Sequence, residues 1–465
     1  MQIRFGTDGW RGVISDDFTF ENVRRVAAAI ASFYNDTQPS PRKIAIGYDT
    51  RFLSDTYAQL VAQVLSKNGI EVVLSDRPIP TPALSFAVKT NKLTSGVMIT
   101  ASHNPASYNG IKIKTSEGGA AGVEITKEVE VRLPPGPVEL KPEPGKKIEK
   151  RDLARGYVKF LRSYIDFKRI KGAKFRVLVD AMHGSGNSFI KEVLKGAAIK
   201  LDFVRNEINP SFGGLRPEPV LENLQSTKRA LKKEKYDLCI VLDGDADRIA
   251  AFAGRGEFIH PQQILGLLML HLHEDRKMKG GVVKTIAGTV LIDNIANELG
   301  MKVYETPVGF KYISELMVKE NILVGGEEAG GMGFKGYIPE RDGTMAGLLL
   351  LEMMVYRKKS MLKIVDEMER KFGKYYYLRN DLKLKGSSPD ISDFKSIKSI
   401  QGKPVLEVKD YDGIKLILGD SSWVMLRASG TEPLVRVYSE SRSLKAAKKL
   451  LEFGESFISR ICSIA

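Results

Sequence analysis

Short runs of aliphatic and β-branched residues alternate along the chain with longer amphipathic stretches, the pattern of α/β units with largely parallel strands. Residues 43–48 (KIAIGY) predict a strand, 56–67 a helix and 71–74 a second strand. The same rhythm returns at 175–180, 237–242 and 281–286. Each strand run ends in a polar or glycine-containing turn, the end at which open α/β sheets bind ligands. Residues 133–147 (LPPGPVELKPEPGKK) carry too many prolines and glycines for a packed element and read as a linker. Further breaks are expected near 254–256, after a strand at 249–253, and near 371–374, after a helix over 345–370. The segment from about 375 mixes strands with one helix beginning at Leu444, which reads as α+β. Four segments follow: 1–147, 148–255, 256–372 and 373–465. Residue identity reveals no internal repeat, although the recurring strand–turn–helix rhythm allows one.

With 465 residues and 43% hydrophobic content, the chain can bury several cores. Its net charge of +15 suits nucleic acid, an anionic membrane surface or small anionic substrates. The excess lies largely in lysines of solvated stretches, such as 232–235 and 445–449, with no basic stripe interleaved with aromatics. Nucleic acid is therefore not an expected partner. Two distant cysteines, Cys239 and Cys462, make neither a disulfide framework nor a zinc site and fit a reducing compartment. The N-terminal residues contain no apolar signal core, and no apolar run approaches the ~18–20 residues of a membrane span. A cytoplasmic protein without a membrane partner is expected.

Asp243-Gly-Asp-Ala-Asp-Arg248 is the most informative segment. It follows an apolar run, so it stands at the end of a buried strand. Three carboxylates at alternate positions repel one another unless a cation joins them. Hard oxygen ligands select Mg²⁺, Ca²⁺ or Mn²⁺ over zinc, and Mg²⁺ commonly shares its shell with phosphate oxygens. The plain alternative is a solvated Asp-rich turn, and the EF-hand loop pattern is absent.

Thr100-Ala-Ser-His-Asn-Pro105 follows another strand-like run and presents Ser102 on a turn. Ser102 and His103 suggest nucleophilic catalysis, but no Gly-x-Ser-x-Gly elbow accompanies them. A serine hydroxyl can instead carry a phosphoryl group. Arg427-Ala-Ser-Gly-Thr-Glu-Pro433, with Arg436 close behind, offers several donors to one phosphate. Gly325-Gly-Glu-Glu-Ala-Gly-Gly331 brings backbone and carboxylates within reach of sugar hydroxyls. Phe5-Gly-Thr-Asp-Gly-Trp-Arg-Gly12 sets Arg11 among small residues, suited to a second phosphate clamp. The plain alternatives are a structural Ser/Asn turn for 100–105, a β-turn with an exposed arginine for 427–433 and a flexible hairpin for 325–331. No Walker loop is present, so ATP is not implied.

Taken in order, FGTDGWRG, TASHNP, DGDADR, GEEAGG and RASGTEP resemble the α-D-phosphohexomutase superfamily, in its phosphoglucomutase/phosphomannomutase branch. The resemblance spans essentially the whole chain. It implies an α/β fold of three similar α/β domains plus a smaller α+β C-terminal domain around a central cleft, each domain giving one loop to the site. By motif, 1–147 is similar to the phosphoserine domain, 148–255 to the metal-binding domain, 256–372 to the sugar-recognition domain and 373–465 to the phosphate-binding domain.

The resemblance implies that Ser102 is a phosphoserine and that Asp243, Asp245 and Asp247 hold one Mg²⁺ with a phosphoserine oxygen. Glu327 resembles the sugar-hydroxyl reader, and Thr306, Gly309 and Lys311 the loop that orients the sugar. Arg427, Ser429, Gly430, Thr431 and Arg436 resemble the clamp on the non-reacting phosphate. Arg11, His103 and Arg248 fall where the family places groups near the transferring phosphoryl group; Lys112 or His103 is the implied general base. A hexose 1,6-bisphosphate is the implied intermediate and primer, with sugar phosphates as substrates and a monomer or homodimer as the working form.

In the sugar loop, Gly326-Glu-Glu-Ala-Gly-Gly331 and the downstream Arg341 before Asp342-Gly343 are closer to phosphoglucomutases than to the Ser-Gly-His loops of other subgroups. Asp180-Ala-Met-His-Gly184 also resembles that group. Ala329 and Gly331 depart from the usual serine and histidine. Glucose phosphates are the expected substrate, with mannose phosphates tolerated. The alternatives are a phosphoglucosamine mutase, a haloacid-dehalogenase-like phosphatase attacking through Asp243, and a non-catalytic sugar-phosphate-binding scaffold. The phosphatase pattern lacks the threonine or valine expected where Asp247 stands.

Overall fold

The computed structural model describes residues 3–6, 8–140, 144–385, 389–428 and 434–462. Four sheets succeed one another along the chain. In spatial order the first runs Trp10–Val13, Tyr108–Lys114, Ser95–Ile99, Lys43–Tyr48, Glu71–Ser75, Ile148–Arg151. The second runs Glu257–Ile259, Ile249–Ala253, Leu238–Leu242, Arg176–Asp180, Lys200–Val204. The third runs Val303–Thr306, Gly281–Thr285, Ile322–Gly326, Met332–Phe334. The fourth is wholly antiparallel, carries the helix Leu444–Ile461, and completes three α/β domains and one smaller α+β domain.

A repeat invisible in residue identity appears in the strand order. In each α/β domain a strand (Lys43–Tyr48, Arg176–Asp180 or Gly281–Thr285) has parallel neighbours on both sides, and the later of those two neighbours turns back into an antiparallel partner. These hairpins are Ser95–Ile99 with Tyr108–Lys114, Leu238–Leu242 with Ile249–Ala253, and Ile322–Gly326 with Met332–Phe334. The three hairpin loops are those of Ser102, of the aspartate cluster and of Glu327. The sheets are thus mixed, where largely parallel ones are expected: each motif loop returns directly, without a crossover helix.

Three further details sharpen these expectations. Ile148–Arg151 lies beyond the expected boundary at 147 yet pairs parallel with Glu71–Ser75, so the first sheet draws its edge from after the linker. Its charged, half-exposed residues carry no apolar signal. The expected break at 254–256 is a hairpin turn inside the second sheet, because Ile249–Ala253 pairs with Glu257–Ile259. Gly254 and Gly256 supply its positive φ angles of 57° and 124°. The helix expected over 345–370 is two helices, Gly343–Arg357 and Met361–Phe372. Lys358 adopts a left-handed conformation between them, and the Ser360 hydroxyl caps the second by accepting from the Lys363 N–H.

One large core runs from the first domain's helix Thr81–Thr90 through the second domain into the third. A smaller cluster around Trp423 and Ile286 seals the fourth domain against the third. Among the described residues no helix is long and apolar enough to cross a membrane.

Candidate active site

The serine loop is held from beneath. Ser102 takes a left-handed conformation (φ 50°), is buried, and its hydroxyl donates to Asp243 Oδ2 at 2.9 Å. His103 Nδ1 stands 3.5 Å from the same hydroxyl. Under the loop lies Arg51, which no sequence motif singles out. Its two terminal nitrogens donate to the carbonyls of Ser102, Asn104, Pro105 and Tyr108 at 2.7–3.0 Å. Asp49 orients it through Nε at 3.2 Å and also accepts from the Thr100 hydroxyl at 2.6 Å. A planar guanidinium satisfies four carbonyls at once; a lysine cannot. Arg51→Lys is expected to leave the fold intact but lower kcat about 10- to 100-fold by loosening Ser102. Steady-state kinetics beside a melting curve checks this.

Asp243, Asp245 and Asp247 are fully buried, with one oxygen of each within 4.8 Å of the others. Gly244 lets this loop approach the serine loop, since a Cβ there would lie 2.5 Å from the Ser102 carbonyl oxygen. Burial and the neighbouring Asp247 and Asp245 push the Asp243 carboxyl well above its ordinary range. Asp245 Oδ1 and Asp247 Oδ1 are buried and have no hydrogen-bond partner. Asp247 Oδ1 has only a long ion pair, to Arg248 Nε at 3.9 Å. Carboxylate oxygens without hydrogen bonds at this depth are costly unless a cation takes them, so the donor set fits a hard divalent ion such as Mg²⁺.

The other oxygens of the pair are already engaged. Lys112 Nζ donates to Asp245 Oδ2 at 2.9 Å and Asp247 Oδ2 at 3.1 Å, and pairs with Asp8 Oδ2 at 2.9 Å. Burial works against its charge, but these three carboxylates outweigh it and raise Lys112 above the usual lysine value. Arg341 reaches the same cluster from the third domain, pairing with Asp8, with Asp247 Oδ2 at 2.7 Å and with Glu327 Oε2 at 3.1 Å. Asp8, from the first domain, is therefore a junction between Lys112 and Arg341, whereas its segment shows value in sequence only through Arg11. Close by, Lys114 pairs with Glu340 beneath the same surface.

Arg341 also explains Gly331. A Cβ at Gly331 would lie 2.2 Å from Arg341 Cδ, so the guanidinium arm occupies the space a histidine there would need. A bridge between Arg248 and Gly331 joins the aspartate and sugar loops. The Arg248 N–H donates to Asp243 Oδ1 at 3.1 Å, while its side-chain Nε is buried without a hydrogen-bond partner. Arg11 donates to Asn104 Oδ1 at 2.6 Å. Burial, then Arg248 and Arg11, hold His103 well below the ordinary imidazole range, so its ring is uncharged.

The structure thus brings Arg11, Ser102, His103, Lys112, Asp243, Asp245, Asp247, Arg248, Glu327 and Arg341 into one connected cluster. Arg427, Arg436 and the loop of Thr306, Gly309 and Lys311 form a second group at the seam of the third and fourth domains. Asp412 joins its two halves, accepting from Arg427 Nε at 2.8 Å and from the Val308 N–H at 2.6 Å. Arg436 pairs with Asp381, which also takes Arg379. Thr306 Oγ1 donates to the adjacent Pro307 carbonyl, Gly309 has a φ of 133°, and the Lys311 ammonium lies 4.9 Å from the Tyr312 ring. Ser429, Gly430 and Thr431 lie outside the described residues.

Family profiles match the chain in the same four pieces. The phosphoglucomutase/phosphomannomutase alpha/beta/alpha domains I, II and III match residues 2–134, 155–256 and 260–372, and the family's C-terminal domain matches 384–453. The chain belongs to the phosphoglucomutase/phosphomannomutase family. Within the α-D-phosphohexomutase superfamily, it is 30% identical to a phosphoglucomutase/phosphomannomutase of Thermococcus kodakarensis, over 97% of each chain. It is 29% identical to a phosphoglucosamine/phosphogalactosamine mutase of Sulfurisphaera tokodaii, over 96% of this chain and 97% of that one. A solved protein of Thermus thermophilus with a provisional phosphomannomutase name superposes with a TM-score of 0.89, at 35% identity over 99% of both chains. This family member is accordingly a phosphohexomutase-type isomerase with a buried aspartate triad able to hold a metal.

Proposed function

We propose that this protein interconverts the 1- and 6-phosphates of a neutral hexose, glucose before mannose, through phospho-Ser102 and a hexose 1,6-bisphosphate. The observation that carries the reading is Ser102 Oγ, 2.9 Å from Asp243 and facing the only cluster of metal-ligating residues found among the described residues. Asp243, Asp245 and Asp247 would hold Mg²⁺, which when bound stabilises charge on the transferring phosphoryl oxygens. Arg11 and Arg248 add fixed positive charge beside the same loop.

Within this reading the two candidate bases divide their work. Lys112 Nζ is surrounded by three carboxylates and serves as a fixed ammonium that keeps Asp245 and Asp247 in place. His103 is uncharged and stands beside Ser102 Oγ, so it accepts the proton of the attacking sugar hydroxyl as the O–P bond to Ser102 breaks. It passes that proton to Ser102 Oγ as Oγ leaves. In the return half it accepts the Ser102 hydroxyl proton as Oγ attacks the other phosphate, and gives it to the sugar oxygen released. Arg427, Arg436 and the 306–311 loop would hold the phosphate that is not reacting while the intermediate turns. Both Asp243 oxygens accept hydrogen bonds, from Ser102 and from the Arg248 N–H. This weighs against Asp243 as the free nucleophile of a phosphatase.

For the sugar, Arg341 takes one oxygen of Glu327 and offsets its charge. That leaves less negative potential for the ammonium of a 2-amino sugar and supports a neutral hexose. The Sulfurisphaera relative supports the second reading, a phosphoglucosamine mutase. Parallel kcat/KM measurements with glucose, mannose and glucosamine 1-phosphates decide between them. Glucose is expected first and mannose second; a wide preference for glucosamine 1-phosphate would overturn the sugar assignment.

A further inference from the structure

Away from the catalytic cluster, a cavity of about 320 Å³ opens where the second, third and fourth domains meet. Its size falls within the range of small-molecule sites, about 300–1,000 Å³. The connection from the third domain to the fourth, including Tyr375, Tyr376 and Tyr377, lines it, as do Phe258 and His260. Gln262 and Glu440 complete the lining from the third and fourth domains and are only 4% and 1% exposed.

Three polar atoms of these lining residues make no hydrogen bond within 3.5 Å: Gln262 Nε2, the Tyr377 hydroxyl and Glu440 Oε2. The Thr289 hydroxyl and Lys415 are near enough to act on the Glu440 carboxylate. Buried polar atoms are almost always satisfied, so three unpaired around one cavity call for a cause. Rotation does not remove them. Gln262 Oε1 accepts from the Thr289 N–H, so a flipped amide would set donor against donor. Glu440 Oε1 accepts from the Val290 N–H at 2.9 Å and from Trp423 Nε1 at 3.0 Å, which fixes the carboxylate. His260 Nδ1 accepts from the Gln262 N–H at 3.3 Å, so the ring carries its proton on Nε2 and offers one more donor. The other charged groups on the lining, Lys374 and Glu369, neutralise each other at 3.0 Å.

The lining therefore offers one acceptor, two donors and a phenol that can do either, between aromatic rings. Hydroxyl groups, each donor and acceptor together, match that set, and aromatic faces suit the C–H faces of a saturated ring. The unpaired carboxylate disfavours phosphates, which separates this cavity from the substrate cleft. We propose that the cavity is a second binding site, for a neutral polyhydroxylated ring of monosaccharide size, whose occupant braces the joint between the third and fourth domains. Gln262 and Glu440 stand on different domains, so a ligand touching both links the two bodies.

The test titrates the full-length protein with D-glucose and with myo-inositol by calorimetry, with and without saturating hexose 1,6-bisphosphate. At least one probe is expected to bind saturably in the millimolar range and to persist under bisphosphate. Tyr377→Phe should weaken that binding about tenfold while leaving the melting temperature near wild type, since the lost hydroxyl had no protein partner. Gln262→Met provides a second variant that removes a donor at similar size. Saturable binding of neither probe, binding displaced by the bisphosphate, binding unchanged in both variants, or a soaked crystal with only ordered waters in the cavity would each overturn the proposal.

Discussion

Ser102→Ala is expected to lose mutase turnover by about 10⁴- to 10⁶-fold, the scale of removing a covalent nucleophile. The loss should fall on kcat with little change in thermal stability. The Ser102 hydroxyl donates a single hydrogen bond, to Asp243, and the loop is held instead by Arg51 through four backbone carbonyls. The variant should still bind hexose 1,6-bisphosphate, because the arginines of the second and fourth domains are untouched. An enzyme that attacked through Asp243 would keep activity in this variant and release inorganic phosphate. A coupled assay for hexose 6-phosphate, run beside a phosphate-release assay, separates the two.

The second large effect concerns the metal. Asp243→Asn is expected to cut kcat by about 10²- to 10³-fold, the scale of losing a preorganised charge-stabilising group. The same change should make the metal-free protein more stable at neutral pH. The sign follows from linkage. Burial and the adjacent Asp247 and Asp245 raise the Asp243 carboxyl in the folded state. Its stabilising contribution is therefore complete below the unfolded carboxylate value of about 3.9 and is lost as pH climbs through the raised folded value. Adding Mg²⁺ to the wild type should reverse that loss and raise the melting temperature, more at about pH 8 than at about pH 5, because only the native triad binds it. In Asp243→Asn both the gain and its pH dependence should shrink. Melting curves at the two pH values, with chelator or Mg²⁺, read this directly; a wild-type melting temperature indifferent to Mg²⁺ would remove the triad from the account.

Much of this was legible in sequence where a buried strand runs straight into chemistry. Leu238–Leu242 is wholly apolar and delivers Asp243, and Ser95–Ile99 delivers the serine loop in the same way. What stayed hidden depends on assembly. Arg51 sits in an unremarkable polar turn, and only folding shows that the serine loop's carbonyls converge on it. Asp8 gains meaning when Lys112 and Arg341, 104 and 333 positions away along the chain, meet on it. Lys112 reads as a base until carboxylates from two loops close around its ammonium. The repeat among the α/β domains is conserved in strand order and hairpin position, which hydrophobic periodicity does not encode. Lys358 broke an expected helix without glycine or proline; the nearby signal was Ser360, whose hydroxyl caps the helix that follows.

The central claim is that Ser102 relays a phosphoryl group between two ends of one sugar. Incubating the protein with hexose 1,6-bisphosphate carrying labelled phosphate, then mapping the label by peptide mass spectrometry, tests it most directly. Label is expected on Ser102, returned to the sugar as bisphosphate when unlabelled hexose monophosphate is added. Label on Asp243, or label released as inorganic phosphate without return to sugar, would contradict it.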